Sequence, residues 1–364
     1  MTITKRLVRI ATRKSALALW QANTVKALLE KRGLQVELNL VVTTGDKMQK
    51  GALAEISLDD PHLPEHLKTG KGLFVKEVQE EILSGRADLA VHSMKDLPVE
   101  STAGLRTATV LPRANPSDVI IFSPSVLDSL NRQLSTDPLL KSVQEILPLL
   151  KEMNWNSAAP IGTTSARRQF FLRHSIDSNS LPITILRGNV DTRLKRVYNN
   201  EFSFIMLARA GIDRLNLHDT RFMFTLPTHI SVPAPAQGIV AIECREDDLD
   251  LRNTLSTLNE PKSSLAAALE RTALWLTGGN CHTAFAAYFE SGKLNSWAAS
   301  GFQRSAISFS LSSTEHNEWL NHSIVADHSS LFADILRSNI AHRIYAELKS
   351  VGYDKLMTLR SPIK

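Results

Sequence analysis

The chain has 364 residues, more than one ordinary hydrophobic core accommodates, so two or three domains of roughly 100–150 residues are expected. With 43% hydrophobic and 22% charged residues it has the make-up of a soluble globular protein, and no run approaches the ~20 apolar residues of a membrane span. A net charge of +5 invites a nucleic-acid reading, but the basic residues are scattered and not interleaved with aromatics. An acidic small molecule fits that charge as well, and neither nucleic acid nor membrane is expected as a partner.

The segment Met1–Ile10 lacks the apolar stretch of a secretory signal, and Cys244 and Cys281 are the two cysteines. A reducing, cytoplasmic setting is therefore expected. No zinc-ligand spacing, Walker loop, Gly-x-Gly-x-x-Gly or His-Glu-x-x-His motif occurs, and no metal is expected.

In chain order, residues 7–11 read as a strand. Ser15 then caps a helix whose broad apolar face holds Leu17, Leu19, Trp20, Val25, Leu28 and Leu29, and Gly33 stops it. A strand at 36–42, a polar loop at 52–69, a helix at 74–83 ended by Gly85, and a strand at 88–92 follow. That alternation implies βαβ units around a largely parallel sheet. The last strand runs into His92-Ser93-Met94-Lys95-Asp96-Leu97-Pro98. A carboxylate and a lysine beyond the carboxyl end of such a strand stand where α/β proteins bind ligands. An N-cap or turn aspartate is the competing reading.

Residues 123–156 look like an addition. Asp137 and Pro138 read as a helix start, Pro148 as a kink or end, and the apolar positions between as a face packed on the second lobe. The βα pattern then restarts: strand 160–163, a cap at Ser165, helix 166–174, strand 183–186, helix 192–198 and strand 204–207. Its opening, Ile161-Gly162-Thr163-Thr164-Ser165-Ala166-Arg167-Arg168, resembles Ile10-Ala11-Thr12-Arg13-Lys14-Ser15. Two such lobes face to face would aim two helix N-termini and several guanidinium groups at one cleft, an anion site in duplicate. Capped helices with surface arginines are the plainer alternative. Beyond Asp250 come an apolar helix at 265–276, the loop Thr277-Gly278-Gly279-Asn280-Cys281-His282-Thr283, three strands near 284–289, 295–300 and 306–311 with a Ser291-Gly292 turn, and one long helix at 331–348. Cys244 lies in 239–245, a buried strand, and reads as structural.

Six segments, in order, resemble the porphobilinogen deaminase (hydroxymethylbilane synthase) family: Arg9-Ile10-Ala11-Thr12-Arg13-Lys14-Ser15, Gly70-Lys71-Gly72-Leu73-Phe74-Val75-Lys76-Glu77, Val91–Pro98, Gly162–Gln169, Leu186-Arg187-Gly188-Asn189-Val190-Asp191-Thr192-Arg193-Leu194 and Pro235-Ala236-Gln237-Gly238. The resemblance implies an α/β fold of two doubly wound, periplasmic-binding-protein-like lobes and a small α+β third domain. The lobes would span 1–114 with 233–256 and 115–232, and the third domain 257–364. It implies a monomeric transferase of tetrapyrrole (heme) biosynthesis that links four porphobilinogen units head to tail with loss of ammonia. The chain would grow on a dipyrromethane cofactor made from substrate and held by a thioether to Cys281, whose loop glycines allow a tether to move.

By the same resemblance Asp96 is the catalytic carboxylate, stabilising the azafulvenium cation left by deamination. Lys95, Ser165, Arg167, Arg168, Arg187 and Gly188 would bind the cofactor. Arg13, Ser15, Lys71, Phe74, Thr163, Arg187, Asn189, Arg193, Arg214 and Gln237 would bind substrate, whose acetate and propionate groups suit bidentate arginine. The sequence departs from the family in three places: no acidic residue precedes Gly278-Gly279, Ala236 replaces the glycine usual before Gln-Gly, and 123–156 is inserted. Two rival readings are a binding protein that closes on an anionic small molecule without chemistry and a Schiff-base enzyme using Lys95 or Lys71.

Overall fold

The structure, a computed structural model, describes residues 6–43, 75–133, 143–155, 157–176, 181–219, 222–280, 283–300, 303–355 and 359–363. In the first lobe β1 (Leu7–Arg13) lies parallel between β2 (Gln35–Val41) and β3 (Leu89–Ser93), while β10 (Val240–Arg245) runs antiparallel between β3 and β4 (Leu105–Val110). The second lobe repeats the order. There β6 (Ile161–Gly162) lies parallel between β7 (Ile183–Thr184) and β8 (Phe204–Ala208), and β5 (Asp118–Phe122) runs antiparallel between β8 and β9 (Met223–Thr225). The two similar openings seen in the sequence, at β1 and β6, thus occupy the same place in each sheet.

Period-two alternation explains why both sheets are covered on both faces. Val8, Ile10, Leu89 and Val91 face the helices Ala16–Glu30 and Leu249–Ser256, whereas Ala11 and Ala90 face the helix Lys76–Leu83. In the second lobe Ile120, Phe122, Phe204 and Met206 point to one side and Val119, Ile121, Ile205 and Leu207 to the other. Ser15 caps the first helix as expected, its hydroxyl accepting from the Ala18 amide.

The segment at 123–156 forms the helices Pro124–Gln133 and Val143–Glu152. Their Leu127, Leu130, Ile146 and Leu150 pack with Trp155 on the outer face of the second sheet. Asp137 and Pro138 lie outside the described residues, as does the loop at 52–69. Pro148 does not end its helix, which runs on to Glu152. Full burial of Ile146 and Leu150, each worth about 1.5–3 kcal/mol, offsets the backbone hydrogen bond the proline forgoes.

The third domain pairs β11 (Phe285–Glu290), β12 (Lys293–Ser300) and β13 (Gln303–Ser310) antiparallel, with Ser291 and Gly292 turning at φ of 51° and 82°. The helix Pro261–Leu276 packs against this sheet. The single helix expected at 331–348 is instead two, His328–Arg337 and Asn339–Ser350. Ser338 breaks it by adopting an extended conformation and capping the second helix at the Ile340 amide. A further helix, Ser313–Val325, was not expected, although Ser312 and Glu315 form a capping box that its sequence spells out. No helix among the described residues is long and apolar enough to cross a membrane.

The chain crosses between lobes twice, after β4 and after β9, and the crossings run side by side. Leu111 N donates to Val240 O at 2.9 Å, Ala114 N to Gly238 O at 3.0 Å, and Gln237 Nε2 to Pro116 O at 2.6 Å. Gly238 is required here: its φ is 90°, and a Cβ would stand 2.5 Å from Ala114 O. Fully buried Glu270 ties both crossings to the third domain, accepting from Arg113 Nη1, Ala236 N and Phe289 N. Ala236, the residue that replaces the family's glycine, holds a left-handed φ of 59°. Ala236→Gly is expected to raise stability by about 1 kcal/mol in urea unfolding, because glycine relieves a Cβ clash that outweighs its greater freedom in the unfolded chain.

Candidate active site

The expected catalytic stretch is a strand followed by one tight turn. Beyond β3, residues Met94–Asp96 form a 3-10 turn closed by a hydrogen bond from Leu97 N to Met94 O, and Met94 N donates to Ile239 O of the returning crossing. Asp96 ends exposed, and its carboxylate makes no hydrogen bond or ion pair with any described residue. The turn reading of Asp96 is therefore correct for the backbone and leaves the side chain available. Lys95 points back, donating to Gln237 Oε1 at 3.2 Å. Its burial, opposed by the charge of Asp96 and reinforced by that of Arg168, pushes its pKa down to about 8.

Across from it, the second lobe supplies the arginines. Ser165 caps the helix Ala166–Ile176 by accepting from Arg168 N, and its own amide donates to Thr163 Oγ1. Arg167 and Arg168 fall in the first turn, where both converge on Asp118 at the start of β5. Arg167 donates to the carboxylate at 2.6 and 3.0 Å, Arg168 at 3.1 and 2.8 Å, Ser231 Oγ at 3.0 Å and Gln237 Nε2 at 3.0 Å. Burial alone would push the Asp118 carboxyl up, but the two guanidinium groups hold it well below the usual carboxylate range.

Arg193 completes the cluster. Its Nε donates to Gly188 O at 2.7 Å, and burial, with the neighbouring charge of Arg168, pushes its pKa down to about 10 while Asp96 opposes the shift. Asp96 of one lobe and Arg168 and Arg193 of the other thus share one field. Gly188, at a φ of 116°, turns the chain so that Asn189 can begin the helix Val190–Tyr198. Arg187, partly buried beside it, makes no hydrogen bond or ion pair with any described residue. Arg13 ends β1 on the first lobe, next to the cap Ser15.

Four expected ligand-binding residues have other engagements: Arg168, besides Asp118, donates from Nη1 to Met206 O at 2.9 Å, so each of its guanidinium nitrogens is used. Arg167 is buried, and beyond Asp118 its Nη1 also donates to Val232 O at 2.9 Å, so it braces Asp118 rather than opening toward the cleft. Gln237, 1% exposed, divides its amide among Lys95, Pro116 and Asp118 and joins the lobes. Arg214 donates to Gly238 O at 2.7 Å and lies 5.4 Å from the ring centre of Trp20 on the first lobe, which makes it an interlobe contact. Burial pushes its pKa down to about 10.

Lys71, Phe74 and Cys281 lie outside the described residues. The residues flanking the cysteine are joined: Asn280 N donates to Thr283 Oγ1 at 2.9 Å and Thr283 N to Asn280 O at 3.0 Å. Asp118, Arg113 and Glu270 were missed at the sequence level. The two carboxylates had a signal, a charge bordering an apolar segment, Asp118-Val119-Ile120-Ile121-Phe122 and Ala268-Leu269-Glu270, where burial demands partners.

Residues 8–253 match the family model described as porphobilinogen deaminase, dipyromethane cofactor binding domain. The porphobilinogen deaminase of Legionella pneumophila (strain Paris) is 40% identical over 287 residues, covering 78% of this chain and 80% of its own. That of Geobacter sulfurreducens is 37% identical over 283 residues, covering 77% and 76%. Among solved structures, a ligand-binding component of an ABC-type import system from Staphylococcus aureus is 10% identical with a TM-score of 0.38, covering 74% of this chain and 73% of its own, a likeness too slight to carry an argument. The family match over residues 8–253 and the identity to these relatives show that the chain belongs to the porphobilinogen deaminase family.

Proposed function

We propose that this chain is a hydroxymethylbilane synthase, a transferase that joins four porphobilinogen units head to tail, releases ammonia at each step and yields hydroxymethylbilane. The observation that carries the reading is the lone exposed carboxylate of Asp96 set in the field of Lys95, Arg168 and Arg193. Loss of ammonia from an aminomethylpyrrole leaves a cation, and the Asp96 carboxylate is the anion available to stabilise it. The same oxygens can take up the proton that each new carbon–carbon bond displaces from a pyrrole ring. Once substrate covers the turn and excludes water, that attraction strengthens.

The surrounding donors fit dipyrromethane, which carries acetate and propionate carboxylates. Arg193 has both terminal nitrogens without hydrogen bonds to described residues, Arg187 has its whole guanidinium so, and Arg168 and Lys95 add charge at the floor. Arg187 and Arg193 would hold its carboxylates, aided by the charge of Arg168 and by Lys95, Ser165 and the turn at Gly188. Arg13, Ser15, Thr163 and Asn189 border the place for the incoming substrate. When bound, the cofactor supplies the anchored pyrrole carbon to which the first unit is joined. Cys281 is its proposed thioether attachment, supported by the freedom of Gly278 and Gly279 and by a Cys244 that is buried, with its thiol pushed up to about 12. Lys71 and Phe74 are proposed at the cleft edge, and the enzyme is proposed to act as a cytoplasmic monomer on a small-molecule substrate.

Asp96→Ala should lower kcat by about 10²–10³-fold while the circular dichroism melt stays near wild type, since the side chain braces nothing among the described residues. A collapsed melt would make Asp96 structural. Intact mass should show an excess of two linked pyrroles in the wild type and none in Cys281→Ser, and an active enzyme of unmodified mass would refute the tether. In the free enzyme Lys95 is protonated below about 8 and neutral above it, so kcat/KM should fall as pH rises through about 8. Lys95→Arg should move that alkaline limb upward, because a guanidinium keeps its charge.

A further inference from the structure

Asp96 has no side-chain partner among the described residues, so the place of its carboxylate is set by the backbone turn beneath it. That turn is gripped from another domain. Arg271, on the third-domain helix Pro261–Leu276, reaches into the first lobe, where Nη1 donates to Met94 O at 3.4 Å and Leu97 O at 3.3 Å. Its Nη2 donates to Pro98 O and, at 3.1 Å, to Val99 O. These carbonyls bracket Asp96, one before it in the chain and three after. Arg271 is only 6% exposed, and its guanidinium lies 6.0 Å from the ring centre of Phe332, so little water competes for the carbonyls.

An arginine is suited to this task. Its planar fork serves several acceptors at once, whereas a lysine ammonium on a flexible stem would hold fewer of them and less rigidly. The helix that carries Arg271 ends at Leu276, with Thr277 as its cap, and continues into the Gly278–Asn280 stretch beside Cys281. One rigid element therefore joins the turn of Asp96 to the loop proposed to hold the growing chain.

We propose that Arg271 is a positioning residue for the reaction: it fixes the Asp96 turn to the third-domain helix Pro261–Leu276, so that the carboxylate keeps one orientation. The inference rests on Asp96 being the catalytic carboxylate. It assigns Arg271 no contact with substrate. Its effect is to keep the Asp96 oxygens at the angle the reaction needs, where a displacement of about 1 Å can cost 10²-fold.

The test uses full-length holoenzyme with cofactor loading checked by intact mass. It compares Arg271→Ala, Arg271→Lys and Asp96→Ala by steady-state kinetics and by hydrogen exchange of peptides covering 94–99 and 166–176. In Arg271→Ala, kcat should fall by about tenfold to hundredfold with KM within about twofold, and millimolar guanidinium should restore part of it. Exchange should quicken over 94–99 and not over 166–176, with Arg271→Lys intermediate in both readouts. If Arg271→Ala does not fold, Arg271→Lys decides by the same two readouts. Unchanged kcat, or a loss without guanidinium rescue and without faster exchange at 94–99, would overturn the inference. An Asp96→Ala enzyme that kept its activity would overturn the reading of Asp96 itself, whereas an inactive one beside a fully active Arg271→Lys would overturn only the role of Arg271.

Discussion

The buried carboxylate of Asp118 is the interaction on which the two-lobed arrangement rests. A lone carboxylate with no exposure would cost several kcal/mol to desolvate, and so would either arginine beside it. Together they form a compact cluster in which two guanidinium groups meet one carboxylate, with Ser231 and Gln237 satisfying its remaining lone pairs. One positive charge is left over. It is felt at Lys95 and Arg193, so the same cluster that locks the first turn of a helix to β5 also gives the cleft its sign.

Gln237 carries that cluster across the cleft. Its amide NH2 reaches Pro116 and Asp118 of the second lobe's entry, and its oxygen accepts from Lys95, next to Asp96. The crossings it joins are held to the third domain by Glu270, which takes hydrogen bonds from both crossings and from β11. Hinge motion between lobes would have to pass through these contacts, since the crossings are the covalent links between the sheets. A left-handed alanine at 236 stiffens the second crossing where glycine would loosen it.

The cleft separates two kinds of arginine that look alike in the sequence. Arg167, Arg168, Arg214 and Arg271 are engaged by protein carboxylate or carbonyl groups and act as braces. Arg187 and Arg193 keep guanidinium nitrogens without partners among the described residues, and Arg193 stands in the field of the exposed Asp96. A ligand with several carboxylates would find its counter-charges in the second group, at an orientation maintained by the first.

Much of this was legible from residue order alone, because periodicity and caps are local. The strand at 7–11, the caps Ser15 and Ser165, and the turn Ser291-Gly292 are each decided within a few residues, and the structure bears them out. So is the turn that ends at Asp96 and Pro98. Local reasoning failed where a distant contact overrode it. Pro148 stays inside its helix because its neighbours are buried against the second sheet, and Ser338 breaks an amphipathic run that periodicity alone would have continued. The arginines show the limit most clearly: the sequence by itself determined how many basic side chains stand near the cleft and on which elements. Only the tertiary structure decided which of them face inward, because that depends on carboxylates and carbonyls, such as Asp118 and those of Met94 to Val99, far away along the chain.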